Sequence, residues 1–351
     1  MSFLFIALPS LLFVMLAKFL WNKDICGKEM AVHFGAAIII SLVCLGLSYT
    51  GGMFKVMDTE ILNGYVTSKY SQKVSCGHQY QCGQTCTSDS KGNQTCVPIY
   101  CDEHNYDVDW NVETTVGNLE IDRVDRQGVD EPPRFSKVSL GEPASVTHST
   151  KNYLLAQEDS LFYVDPKVSE KYKDKLPKYP EVYDYYRFNH VINLTKQNTD
   201  SYSVLIQDKL KKMGAEKQVN LIVVVTNESQ DFYKALMASW SGGKKNDVIL
   251  VYGLKDDKIV WFNSTSFADG MNNKELHAKL RQEALGEVLS MSVVNTQLNE
   301  INKSFNRLPN EEFQYIVDSL EPSTGTLVFF SLLSLIASVL VGLYFKRNQV
   351  F

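Results

Sequence analysis

Three apolar blocks decide what this chain can become. Residues 2–21, 30–49 and 324–345 contain no acidic, basic or imidazole side chain apart from Lys18 and His33. Each block is close to the ~20 residues that a helix needs to cross a hydrocarbon core of ~30 Å. The sequence therefore predicts three transmembrane helices and excludes a wholly soluble protein. The first block does not read as a secretory signal, because no Lys or Arg precedes it and no small-residue cleavage pattern follows Trp21. Pro9 should kink or open its backbone ladder, which neighbouring helices can accommodate. Lys18, one turn from its end, can snorkel to the headgroups.

The cations set an orientation. Lys23 and Lys28 lie in the connector between the first two blocks, and Lys346 and Arg347 follow the third. The positive-inside bias puts both groups on the cytoplasmic face and leaves residues 50–323 extracytoplasmic. The whole chain carries a formal charge of −5, and only two of its 40 acidic residues, Asp24 and Glu29, fall outside that stretch. An acidic outer portion argues against a nucleic-acid partner and against adsorption to anionic lipid.

Cysteine usage bears on the same topology. Cys26 and Cys44 fall in the connector and the second block, while Cys76, Cys82, Cys86, Cys96 and Cys101 crowd together. In an oxidising compartment such a cluster reads as a disulfide framework for a segment too polar to build a core. Five thiols make two bridges with one left over, and the pairing is open. A zinc site is the alternative. Cys76-Gly77-His78, Cys82 with Cys86, and Cys101 with His104 offer sulfur and imidazole for tetrahedral coordination, though the spacing fits no standard finger or ribbon. The bridged reading is preferred because the orientation places this loop outside.

Residues 53–150 read as β-rich. Strict alternation over Tyr106–Glu113 predicts a strand with Tyr106, Val108, Trp110 and Val112 on one face. Asp107 and Asp109 share the other face, expected to be solvated, with a divalent cation or a basic partner as the second reading. Gly117-Asn118 and Gln127-Gly128 are turns around a short strand at Leu119–Val124, Glu131-Pro132-Pro133-Arg134 is expected to be extended, and Gly141-Glu142-Pro143 is another turn. Residues 151–198 form a tyrosine-rich connector, fitted equally to a partner surface and to packing.

From residue 199 to 321 the pattern changes to alternating helices and strands. Ser201–Met213 reads as a helix stopped by Gly214, and Val219–Thr226 as a strand covered on both faces. A helix over Asp231–Trp240 follows, then a strand at Asp247–Tyr252, the turn Asp256-Asp257 and a hairpin partner at Lys258–Asn263. Lys274–Leu298 repeats apolar residues at Leu276, Leu280, Ala284, Val288 and Met291, which predicts one long amphipathic helix. The order makes a layered α/β domain with a right-handed crossover.

Within roughly residues 199–300, Leu221-Ile222-Val223-Val224-Val225-Thr226, then Phe232-Tyr233 and Trp240, then the linker Gly242–Asp247 into Val248-Ile249-Leu250-Val251, and the turn Asp256-Asp257-Lys258 together resemble the TPM domain family. The resemblance implies an extracytoplasmic domain beside a C-terminal membrane helix, in a family some of whose members are acid phosphatases or bind calcium through acidic residues. Residues 263–270 replace the family's glycine-rich stretch, so no catalytic set is carried over. Asp256 and Asp257 are kept as candidate metal ligands, with a plain turn role preferred. Cys101–Trp110 and Arg123-Val124-Asp125-Arg126-Gln127-Gly128 look similar to uncharacterised membrane proteins of tailed phages and bacteria. That likeness implies a bacterial inner (plasma) membrane protein, and it implies no activity.

Other chemistry is sparse. The chain has no nucleophile elbow, no phosphate-binding loop and no zincin motif. His148, His190 and His277 read as surface or packed imidazoles, and His33 as interfacial. The sequons at Asn93, Asn193, Asn227, Asn263 and Asn302 read as chance in a polar chain. The expected fold class is membrane-anchored α+β: three transmembrane helices, a β-rich disulfide-containing subdomain over 50–150, and an α/β TPM-like domain over 199–321. The expected function is non-enzymatic: an extracytoplasmic binding protein with the lipid bilayer and an envelope protein as partners, serving a phage at its host's surface. The alternative is a divalent-metal-dependent phosphohydrolase. No cofactor is expected, with calcium or zinc as the alternative.

Overall fold

The computed structural model describes residues 2–88, 94–157, 163–267, 273–313, 315–316, 322–348 and 350. Asn93, Ala268, Asp269 and Gly270 lie outside the described residues. The chain divides into two compact units, one of residues 1–58, 150–163 and 309–351, the other of 59–149 and 164–308.

Helices α1 (Ser2–Leu20), α2 (Gly27–Lys55) and α9 (Thr324–Asn348) belong to the first unit, and each is long and apolar enough to cross a membrane. A capping box starts α2: the Cys26 amide donates to the Glu29 carboxylate at 2.8 Å, and the Glu29 amide donates to Cys26 Sγ at 3.5 Å. The helices meet through small polar residues. Ser41 Oγ lies 3.3 Å from Ser10 Oγ and 3.0 Å from Ser334 Oγ, and the Ser338 hydroxyl donates to the Ser10 carbonyl at 3.3 Å. Small side chains let helices approach closely, and their hydroxyls add bonds that lipid cannot supply. His33 is buried between helices, with Nε2 2.9 Å from the Ser338 carbonyl oxygen. The reason is helical spacing. His33, Ala37, Ser41, Cys44 and Ser48 fall three or four residues apart on one buried stripe of α2.

The second unit holds three sheets, apart from the first two residues of β1 and the last two of β6. β1 (Met57–Val74), β4 (Asp107–Thr114), β5 (Gly117–Ile121) and β6 (Pro143–Lys151) form a four-stranded sheet in the order β5-β4-β1-β6, with β4 antiparallel to both β1 and β5. Val66, Trp110, Val112, Ile121, Phe135 and Tyr186 fill its core. Glu131–Arg134 is not wholly extended: Pro132 is, but Pro133 opens a single helical turn, α3 (Pro133–Ser136). Proline's fixed φ suits a first helical position, so the pair marks a helix start. β2 (Gln79–Ser88) and β3 (Gln94–Asp102) make a separate two-stranded hairpin.

The third sheet has the order β10-β9-β8-β7, built from β7 (Val191–Asn193), β8 (Asn220–Thr226), β9 (Asp247–Lys255) and β10 (Lys258–Ser266). β7, β8 and β9 run parallel and β10 antiparallel. Every residue of β8 is buried, and its side chains alternate between two cores. Leu221, Val223 and Val225 meet Ile206 and Leu210 of α5 (Asp200–Lys217), Leu276 and Leu280 of α7 (Lys274–Ala284) and Leu298 of α8 (Met291–Ser304). Ile222 and Val224 meet Tyr172 of α4 (Pro166–Tyr172) and Phe232, Leu236 and Trp240 on or beside α6 (Asp231–Ser239). This is a three-layer α/β arrangement, and it explains the unbroken apolar run.

Two helical expectations fail for identifiable reasons. Gly214 lies inside α5, which ends at Gln218 with a left-handed φ of 52°. Gly214 is needed for approach, since a Cβ there would come within 2.5 Å of the Asn63 carbonyl oxygen of β1. The helix foreseen over Lys274–Leu298 is two helices. Gly286, at φ 85°, breaks it, and the intervening segment bonds along β10, with the Ile259 amide donating to Glu287 O at 2.8 Å and the Gly286 amide to Ile259 O at 3.0 Å. Ser290 then caps α8.

The tyrosines of the connector divide. Tyr172 and Tyr186 are fully buried, whereas Tyr163 and Tyr183 are exposed.

Candidate metal centre

The β2–β3 hairpin has almost no buried face: Tyr80, Val97, Ile99 and Tyr100 are all exposed. A two-stranded ribbon of this kind is marginal in water, so covalent staples must replace a core. They are present. Cys82 is bonded to Cys101 and Cys86 to Cys96, the second pair directly opposite in register. Cys76 is left as a free thiol.

Chain order places Cys76 at a junction. Residues 75–78 carry the chain from β1 into β2, and residues 103–106 carry it from β3 back into β4. The two segments are therefore the neck between hairpin and sheet, where Val74 pairs with Asp107 and Gln79 with Asp102. The Glu103 amide donates to the His78 carbonyl at 3.0 Å across the neck. Cys76, His78, His104 and Asp107 converge there, and one donor atom from each lies within 4.8 Å of the others. Cys76 Sγ is 3.7 Å from His104 Nδ1, His104 Nδ1 is 3.5 Å from Asp107 Oδ1, and His78 Nδ1 is 3.3 Å from Asp107 Oδ2. Among the described residues, this is the one group of three or more such donors close enough to hold an ion.

Asp107 is the centre of the arrangement and departs most from the sequence reading. Its side chain is 0% exposed, whereas alternation put it on a solvated face. It starts β4 directly beneath the neck, so the neck covers it. The Gly77 amide and Arg123 Nη1 each donate to Oδ2 at 2.9 Å. Those bonds, the Gly77 amide first, hold the carboxyl down to about 2 against the effect of burial. Oδ1 is buried and has no hydrogen-bond partner, and neither has His78 Nδ1. Asp109 does meet a basic partner, Arg123 of the same chain, whose Nε lies 3.1 Å from Asp109 Oδ1.

The Arg123–Gly128 stretch is thereby explained. Asp125 accepts the amides of Gln127 and Gly128 at 2.9 and 2.7 Å, which folds a turn. The turn sends Gln127 O to the Val108 amide at 2.8 Å and Gly128 O to Trp110 Nε1 at 2.9 Å. It is clamped along the start of β4 and delivers Arg123 to both aspartates. Sequence reasoning missed Arg123 and the burial of Asp107. The signal available was two short-range donor pairs, Cys76 with His78 and His104 with Asp107, flanking the cysteine cluster.

The other candidates lie elsewhere. Asp256 and Asp257 are exposed at the β9–β10 turn with φ of 50° and 64°, the conformation of a tight two-residue hairpin. His148 Nδ1 is 3.1 Å from Glu60 Oε1, His190 is buried with Nδ1 donating to Leu221 O at 2.8 Å, and His277 lies between the hydroxyls of Ser264 and Ser266 at 2.8 and 2.9 Å.

Fold and site together define a class: an α+β protein with three helices able to cross a membrane and a disulfide-stapled hairpin rising from a Cys-His-His-Asp neck. No family model, no curated protein and no solved structure matches the chain.

Proposed function

We propose that this chain is a membrane-anchored extracytoplasmic binding protein that presents the β2–β3 hairpin to a protein of the cell envelope. The observation that carries the reading is the hairpin itself. It exposes Tyr80, Val97, Ile99 and Tyr100, and it spends two disulfides on holding a shape that has no core. Exposed aromatic and β-branched side chains on a rigid ribbon suit protein recognition, because little conformational freedom remains to be lost on binding. Two bridges also fit an oxidising compartment, in line with the positive-inside orientation of residues 50–323. The likeness to membrane proteins of tailed phages makes a bacterial inner membrane, and a phage acting on its host's envelope, the setting of this reading. The likeness of residues 199–300 to TPM domains agrees with extracytoplasmic placement.

The test is site-specific photo-crosslinking of the full-length protein in bacterial membranes. A photoreactive side chain at Ile99 or Tyr100 should capture a defined envelope protein. The same group at Val204, exposed on α5, should not. Equal capture at both positions, or adducts with lipid alone, would refute the reading. The phosphohydrolase alternative is weaker, because Asp256 and Asp257 are exposed turn residues outside the one donor cluster found among the described residues.

A further inference from the structure

We infer that Cys76, His78, His104 and Asp107 form a closed tetrahedral zinc site that ties the two neck segments together. Distances come first. With zinc bonds of about 2.0–2.3 Å to oxygen, nitrogen and sulfur, the edges of a tetrahedron run to roughly 3.3–3.7 Å. Two of those edges are measured here, 3.5 Å from His104 Nδ1 to Asp107 Oδ1 and 3.7 Å from Cys76 Sγ to His104 Nδ1, and one donor atom from each of the four residues lies within 4.8 Å of the others.

Unpaired atoms come second. Asp107 Oδ1, on a side chain with no exposure, has no hydrogen bond, and neither has the buried Nδ1 of His78. A carboxylate oxygen left so would forfeit its hydration without return, and folded proteins avoid this. The His78 ring is 3.3 Å from Asp107 Oδ2 without being aligned to donate to it. An ion between Sγ, the two Nδ1 atoms and Oδ1 would satisfy all four donors at once.

The outer contacts are already in place. Gly77 and Arg123 occupy Oδ2 and so aim Oδ1 inward, and the His78 amide donates to Cys76 Sγ at 3.4 Å. Ligands held from behind in this way are the usual supports of a metal site. The donor set selects the ion. Calcium and magnesium require six or more donors, predominantly oxygen, whereas one thiolate, two imidazoles and one carboxylate suit zinc. Thiolate and carboxylate also balance the charge of Zn²⁺. Four protein donors leave no open position for water or substrate, so the site is structural. It is independent of the partner proposed for the hairpin.

The experiment uses the full-length protein purified in detergent without added metal. Elemental analysis should find one zinc ion per chain, with Cys76 resisting alkylation until a chelator is added. Cobalt(II) exchanged into the site should give the visible bands of a tetrahedral ion with thiolate charge transfer. His104→Ala and Cys76→Ser should lose both metal and bands. Arg123→Ala removes only a support and should weaken zinc binding roughly 10- to 100-fold without abolishing it. Retention of both disulfides, checked by peptide mapping, shows that a variant has folded. Wild-type protein without zinc and with a freely alkylated Cys76, a Cys76–Cys76 dimer on non-reducing gels, copper in place of zinc, or zinc unchanged in folded His104→Ala would each overturn the assignment.

Discussion

Gly128 and Gly141 offer a controlled test of how tightly the Arg123–Gly128 turn is seated. Both have φ of 80°, a conformation that a side chain with a Cβ adopts at a disadvantage of about 1–2 kcal/mol. They differ in what a Cβ would meet. At Gly141 there is nothing within 4 Å, whereas at Gly128 the Val108 carbonyl oxygen lies at 2.2 Å and Arg123 Cδ at 2.7 Å. The first of those atoms is backbone of β4 and cannot swing away. Gly141→Ala should therefore destabilise by about 1 kcal/mol. Gly128→Ala carries the same φ effect, about 1–3 kcal/mol for the overlap, and about 1 kcal/mol if relieving it breaks the bond from Trp110 Nε1 to Gly128 O. The sum is about 3–5 kcal/mol. For a unit of this size each kcal/mol moves Tm by about 2–4 °C, so the two variants should be separated by roughly 10 °C. Thermal unfolding in detergent, followed by near-ultraviolet circular dichroism, reads the difference. Equal shifts for the two variants would mean that the turn moves off β4 easily, and the argument that it positions Arg123 would fail.

Three further perturbations test other parts of the molecule. Burial pushes the His190 imidazole from 6.5 down to about 4, so its contribution is lost as pH falls through that window; burial pushes Asp247 from 3.8 up to about 6, so its contribution is gained as pH falls through nearly the same window. Each is worth about 3 kcal/mol and they oppose one another, so Asp247→Asn should expose a loss of about 3 kcal/mol between pH 7 and pH 4 in urea titrations of metal-free protein, and a flat profile in that variant would defeat the account. Among the three apolar helices, Ser338→Ala should weaken the bundle by about 1 kcal/mol through its lost bond to His33, and Ser338→Leu by more through steric conflict at a fully buried position; equal effects in a steric-trapping assay would contradict the packing. Replacing Asp256-Asp257 by Asn-Gly suits two left-handed residues and should stabilise the β9–β10 hairpin by up to about 1 kcal/mol, whereas loss of a divalent-cation-dependent phosphatase activity on that change would restore the catalytic reading.

Where periodicity and burial coincide, the fold was legible. β8 matches its apolar run to within one residue because a central parallel strand is covered on both faces, and the three apolar blocks are helices long and apolar enough to cross a membrane, the form in which a segment of that length satisfies its own backbone. Periodicity misled where spacing survived a break. Leu276, Leu280 and Ala284 are buried, but Val288 and Met291, which continue the same spacing, are exposed, and α8 buries Val294, Leu298 and Ile301 instead. Gly286 followed by Ser290 was the readable warning. Asp107 eluded alternation for a related reason: the pattern assigns residues to faces of a sheet, whereas a strand's first residue can be covered from the end. Arg123 could not be paired with it from spacing, since the turn that delivers it depends on a glycine seated against backbone.

The hairpin's two kinds of fastening act on different degrees of freedom. The bridges close loops with sequence separations of 19 and 10, and each restricts the unfolded ribbon by an amount on the order of 3 kcal/mol. Both lie wholly between β2 and β3, so neither limits how the ribbon stands on β1 and β4. That freedom resides in residues 75–78 and 103–106, which among the described residues are joined by the Glu103 amide bond to His78 O, by the contacts among Cys76, His78, His104 and Asp107, and by the Gly77 amide bond to Asp107. A ribbon that recognises a partner through four exposed side chains loses that advantage if it swings. Fixing the neck is thus a separate requirement from stapling the ribbon, and the only cysteine of the cluster left out of a bridge lies at the neck. Reduction should loosen the ribbon and leave its stance on the sheet, whereas chelation should free the stance and leave the ribbon intact.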